Sequence, residues 1–197
     1  KRALDRGLAG RPFALRLCHH HGTIDVFGRS DWYRDPAEGG PELSLGWYGV
    51  DLVLHLMGRR IVSVYAEYGN YTSPGSPFMD CGRMTLRLED GAQACFDMYF
   101  CNRVPYPSWQ MEALGPQGAV SVHAKEGDAT ATAIGFYGAR GYEALPVVED
   151  APGWDRAWVD ELRPGGEPAI PPATAALITR ICLAARESAQ KGCPVAL

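Results

Sequence analysis

Two hydrophobic periodicities divide the chain. Met84, Leu86 and Leu88 alternate with Arg83, Thr85, Arg87 and Glu89, the period of two that marks a half-buried strand. Asp90-Gly91 follows as a hairpin signal, and 92–102 reads as the return strand. On that strand Ala92, Ala94, Phe96, Met98 and Phe100 share one face; Cys95, Tyr99 and Cys101 share the other, with Asp97 among them. Further strands are predicted at 11–21, 61–68, 109–114, 119–123, 129–137 and 142–148, with loops at 22–41 and 69–77. Helical patterns cover 1–9, stopped by Gly10, and 42–57, closed by Gly58. Two more cover 154–162 and 171–191, the last with Pro at its start and Gly192 past its end. Its positions Ala176, Ile178, Ile181, Leu183 and Ala184 suit burial against a sheet. A run of antiparallel strands flanked by helices predicts an α+β fold, one domain over 1–197.

The return strand bears on assembly. Its second face is partly apolar, where an open sheet covered on one side normally turns polar residues outward. That face either lies covered within a monomer or pairs with a second copy; the pattern favours a homo-oligomer, a homodimer in the simplest case.

Composition narrows the function. With 46% hydrophobic and 21% charged residues, the 197-residue chain has globular composition. A net charge of -4 leaves no basic surplus for a phosphate backbone, so no nucleic-acid partner is expected. No apolar run is long enough for a bilayer, so no membrane partner is expected either. The six cysteines form no CxxC pair and read as reduced thiols of a cytoplasmic protein. The start at Lys1-Arg2-Ala3-Leu4 suggests a portion of something longer.

Three stretches carry candidate chemistry. Ser44, Tyr48, Asp51 and His55 fall at i, i+4, i+7 and i+11, one stripe of an otherwise apolar helix. Such a stripe either faces a cleft, where a Tyr hydroxyl beside a carboxylate and a His serves proton transfer, or lies at a solvent edge. His19-His20-His21 lies on a strand, where successive side chains alternate, so the three do not converge on a metal; two of them suit a polar ligand. Trp32-Tyr33-Arg34-Asp35 is a loop with aromatics and an Arg, suited to a sugar or to packing on its own domain. Gly135–Gly141 has the spacing GxxGxxG, a hairpin spacing rather than a dinucleotide fingerprint.

The order of these motifs resembles the C-terminal domain of the Gfo/Idh/MocA oxidoreductases, the family of glucose–fructose oxidoreductase and inositol dehydrogenase. The resemblance runs through Asp31-Trp32-Tyr33-Arg34-Asp35-Pro36, Gly39-Gly40, Leu43 to Asp51 and Leu56-Met57-Gly58. It continues in Leu86 to Ala92, Met111 to Val120 and Arg186 to Val195, so it spans nearly the whole chain. It implies an open, mostly antiparallel sheet with helices packed on one face, the other face commonly forming a subunit interface. It also implies NAD or NADP, bound by an N-terminal nucleotide-binding domain absent from these residues, and a sugar, polyol or related carbonyl substrate. The family's Asp falls on Ser44 and its His on Tyr48, a Tyr also resembling the variant in glucose–fructose oxidoreductase, where it is the proton donor. Ser44 cannot replace the charge of an Asp. The site implied is therefore Tyr48 as proton donor, Ser44 at the altered position, and Trp32, Arg34, Asp51, His19 and His21 toward substrate, with no metal. The resulting reading is the substrate-binding and oligomerisation domain of a nicotinamide-dependent oxidoreductase. A stand-alone binding or assembly module, or a domain recruited to a cofactor-free reaction, are the alternatives.

Overall fold

Alternating apolar residues become strands because one face can then be buried while every backbone group joins a ladder. In the computed structural model, which describes residues 1–22, 35, 38–72, 75, 77, 79–102, 109–125, 128–147 and 154–197, this produces a nine-stranded sheet. The strands are β1 (Ala14–Gly22), β2 (Ile61–Gly69), β3 (Cys81–Leu88), β4 (Gln93–Asn102) and β5 (Trp109–Gly115). They continue with β6 (Gly118–Lys125), β7 (Asp128–Gly138), β8 (Gly141–Leu145) and β9 (Val195–Ala196). The helices are α1 (Arg2–Asp5), α2 (Trp47–Met57), α3 (Trp154–Glu161) and α4 (Pro172–Lys191), with a π-helical turn, Glu42–Gly46, leading into α2. The fold is α+β, with an open, mostly antiparallel sheet carrying its helices on one side.

The strand order is β8-β7-β6-β5-β1-β4-β3-β2-β9. The sequence-adjacent strands β4 and β5 are therefore separated by β1, which pairs parallel to β4 and antiparallel to β5. The 83–100 hairpin forms as its alternation and its Asp-Gly turn predict: Gly91 takes φ 86, and the Leu88 N–H donates to Ala92 O at 2.8 Å. Met84, Leu86, Ala94, Phe96, Met98 and Phe100 are buried, and Leu15 and Leu17 of β1 join them.

α2 reaches this layer through two glycines. A Cβ on Gly49 would lie 2.1 Å from the Phe96 ring, and one on Gly46 would lie 2.6 Å from the Met84 methyl. The missing side chains let the helix lie directly on the sheet while Val50 and Val53 bury beside them. α2 stops at Gly58 (φ 62) and α4 at Gly192 (φ 65), each in the left-handed conformation.

The structure shifts several details. The expected 1–9 helix is shortened to Arg2–Asp5, because Gly7 and Gly10 turn the chain with φ 74 and 71. β1 starts at Ala14 rather than Arg11, since Pro12 has no N–H for a ladder. On α4, Ile178, Ile181 and Ala184 are buried as the pattern predicts, but Ala176 and Leu183 are exposed. Cys182, Ala185 and Ser188 take their place, because the sheet-facing stripe is 178-181-182-185-188 and 176 and 183 fall off it at 3.6 residues per turn. Ser188 accepts the Ala66 N–H at 3.0 Å and donates to Cys193 O at 2.7 Å, stitching α4 to β2 and to the tail.

Candidate functional site

The run His19-His20-His21 lies near the end of β1, so its side chains alternate. His19 and His21 have the parity of the buried Leu15 and Leu17 and point to the helix side; His20 points to the open side and stacks on Tyr99 at 5.1 Å. The three imidazoles cannot meet at one ion, and among the described residues no cluster of three or more His, Cys, Asp or Glu could hold a metal.

On the helix side the β1 end opens into a cavity of about 470 Å³, walled also by Leu45, Tyr48 and Trp109. Phe96, Trp109 and His19 form a parallel stack: 6.0 Å between the first two ring centroids, 4.1 Å between the last two, each pair 11° from coplanar. His21 meets the edge of His19 at 5.5 Å and 87°. Tyr48 stands across from His19, centroids 6.5 Å apart at 66°, stacked in turn on Trp47 at 3.7 Å. Tyr48 is 41% exposed, whereas His19 is 8% exposed. Burial, and then the neighbouring His21 and His20 rings, pushes the His19 pKa down to about 4, so His19 is neutral at physiological pH. Burial also lowers the His21 pKa, against a hydrogen bond with the Gly22 backbone that raises it.

The rest of the expected stripe lies elsewhere. Ser44 falls in the π-helical turn, whose wider winding carries it off the 3.6-residue stripe; its Oγ donates to Gly40 O at 2.8 Å. Asp51 is half-buried and His55 exposed, and neither is among the described residues that line the cavity. The stripe thus delivers Tyr48 alone. Trp32 and Arg34 lie outside the described residues. Trp109 was not legible as a site residue: it opens a predicted strand, and its partner His19 is ninety positions away.

A buried arrangement lies just before the helix that carries Tyr48. Glu42, 3% exposed, opens the π-helical turn and accepts a hydrogen bond from Arg186 of α4. The same guanidinium donates to Gly39 O. Gly40 takes φ 109, and a Cβ there would collide with the Glu42 carboxylate at 2.7 Å. The Gly39-Gly40 run therefore lets the chain wrap around a buried ion pair just before the helix that carries Tyr48. Asp80 plays a similar part for the loop after β2. Burial works to raise its pKa, but the Thr72 hydroxyl and the Tyr71 and Thr72 N–H groups outweigh that and hold it below the ordinary carboxylate range.

The glycine run with a spacing near that of a phosphate loop, Gly135–Gly141, closes the β7–β8 hairpin, with Gly138 paired to Gly141, and leads directly into strand β8. Cys18, Cys81, Cys95, Cys182 and Cys193 form no disulfide, and among the described residues no helix is long and apolar enough to cross a membrane.

The model of the GFO/IDH/MocA C-terminal domain matches residues 1–121, and the chain belongs to this family. No curated protein matches it. Among solved structures, a chain from Thermotoga maritima superposes with a TM-score of 0.84 at 20% identity, over 100% of this chain and 58% of that one. An oxidoreductase from Agrobacterium radiobacter, solved with NAD+, L-tartaric acid and magnesium, gives 0.76 at 21% identity, over 100% of this chain and 60% of that one. An aldose-aldose oxidoreductase from Caulobacter crescentus, complexed with glycerol, gives 0.77 at 20% identity, over 100% and 58%. The chain therefore spans about three fifths of the length of the structures it matches.

Proposed function

We propose that this domain supplies the substrate wall and the proton-transferring hydroxyl of a nicotinamide-dependent oxidoreductase acting on a sugar, polyol or related carbonyl compound. The observation that carries the reading is Tyr48 standing over a cavity lined in part by the Trp109 and His19 rings, with His19 neutral. Aromatic faces suit the C–H faces of a polyhydroxy compound, and a phenol at the rim can hold a proton at the oxygen whose carbon changes oxidation state. During reduction that oxygen gains negative charge, which the Tyr48 hydroxyl stabilises and then quenches by proton donation; during oxidation the proton travels back. The nicotinamide would be bound by a nucleotide-binding domain outside these residues. The family membership and the fold shared with oxidoreductases support the reading, and the free thiols agree with a cytoplasmic setting.

The natural protein carrying this chain is expected to reduce NAD+ or NADP+ with at least one member of a panel of aldoses and polyols. Tyr48→Phe should lower kcat by about 10²- to 10⁴-fold, the usual worth of general acid–base catalysis, with a smaller change in KM. Unchanged kcat would remove Tyr48 from the chemistry, and no turnover across the panel would sink the reading in favour of a binding module.

The open face of the sheet is the surface we assign to self-association. It carries the Arg83–Asp97 and Arg16–Glu112 pairs, and α2 and α4 pack on the opposite side. Sedimentation at micromolar concentration should show a homo-oligomer that Arg83→Glu disperses; a monomer in the unaltered protein would refute the assignment.

A further inference from the structure

A second cavity lies at the other end of β5 from Tyr48. Trp109 opens that strand beside Tyr48; Pro116 and Gln117, just past its end, border a cavity of about 760 Å³. One wall is the turn after α1, Arg6-Gly7-Leu8. It is docked on the β5–β6 turn: the Gln117 N–H donates to Ala9 O at 3.1 Å, and a Cβ on Gly115 would lie 2.1 Å from that oxygen. The other wall is the β7–β8 turn, closed by the pairing of Gly138 with Gly141. Half-buried Phe136 also lines the cavity, its ring fixed over two glycines: a Cβ would meet it at 2.8 Å from Gly118 and at 2.5 Å from Gly138.

The charges of this cavity are unusual for the molecule. Most described arginines hold a carboxylate: Arg11 and Arg59 share Asp90, Arg83 pairs with Asp97, and Arg186 with Glu42. Arg6 and Arg140 belong one to each wall, and among the described residues neither side chain makes an ion pair or a hydrogen bond. Glu143 is the one carboxylate among the residues that line the cavity. In a chain of net charge -4, two unpaired guanidiniums beside one carboxylate form a local positive excess.

We propose that this cavity binds a free acidic amino acid, whose two carboxylates and one ammonium are the charge complement of Arg6, Arg140 and Glu143. Each guanidinium takes one carboxylate, Glu143 takes the ammonium, and Phe136 lies beside the methylene chain. The volume leaves room for bridging waters around such a molecule. The inference is independent of the nicotinamide reading, since it uses none of the residues around Tyr48.

The test is calorimetric titration of the natural full-length protein with L-glutamate, with glutarate, which lacks the ammonium, and with 4-aminobutyrate, which lacks one carboxylate. L-Glutamate should bind about tenfold more tightly than either, the worth of one charge-assisted contact at a partly exposed site. Arg6→Gln or Arg140→Gln should weaken L-glutamate about tenfold; both side chains are exposed, so the fold is kept. Glu143→Gln should narrow the gap between L-glutamate and glutarate. Arg180→Gln, at an exposed and equally unpaired arginine of α4 outside the cavity, should change nothing. The proposal is overturned if none of the three compounds binds, or if glutarate binds as well as L-glutamate. It is equally overturned if the Arg6 and Arg140 variants bind L-glutamate unchanged, if Arg180→Gln weakens it as much as they do, or if inorganic phosphate binds more tightly.

Discussion

The two faces of the sheet treat similar residues differently. On the helix side, His19 is stacked between Trp109 and the cavity and kept neutral. One residue later, on the open side, His20 lies on Tyr99 with its Nε2 3.1 Å from the Cys18 Sγ; burial lowers its pKa while Asp97 opposes the shift. The contrast repeats along the strands. Phe96 is fully buried beneath Gly49, while Asp97 beside it forms a two-pronged pair with Arg83 at 2.5 and 2.8 Å. An expected partly apolar second face becomes one of half-buried Cys18, Cys95 and Tyr99 interleaved with ion pairs. One face therefore excludes water and sets protonation states; the other satisfies its polar groups among themselves.

The largest test of that difference is truncation on each side. Phe96→Ala should cost about 3–5 kcal/mol in urea unfolding, from lost burial and the cavity left under α2. Thr85→Ala, on the exposed side of β3, should stay within about 0.5 kcal/mol. Equal losses would erase the distinction between the faces.

Acid unfolding sharpens it. The folded His19 pKa, about 4, lies below its unfolded value near 6.5, so between these values the unfolded chain binds a proton that the folded chain refuses. Stability is thus full above about pH 6.5 and falls as pH drops toward 4. Between pH 7.5 and 4.5 this one group should account for roughly 2–3 kcal/mol of loss, which His19→Gln removes. His20→Gln should leave most of that slope in place; an unaltered slope in His19→Gln would show that the ring is not held neutral.

The smallest effect is expected at the open-face ion pair. Asp97→Asn should cost about 0.2–1 kcal/mol, and less in molar salt, because Arg83 is largely exposed. A loss of several kcal/mol, insensitive to salt, would mean that this face is sealed from water.

Local chemistry made much of this architecture legible. The 83–100 alternation assigned each residue of the central hairpin to a face, and Gly58, Gly192 and Asp90-Gly91 marked ends and a turn because only particular backbones satisfy those positions. Tyr48 was marked as a candidate by its place on an apolar helix and by the family pattern around it. The π-helical turn was not visible, and it alone takes Ser44 off the stripe, since a 3.6-residue count assumes uniform winding.

The sequence by itself determined most of the elements and the buried side of the central hairpin, and it marked Tyr48 as a candidate, because periodicity and turn residues act over a few positions. Only the tertiary structure decided which distant groups meet. It inserted β1 between β4 and β5, which set His19 on Trp109, and it paired Glu42 with Arg186, 144 positions apart. The physical reason is that such contacts rest on chain crossing and on water excluded by the finished core, which no local window of residues contains.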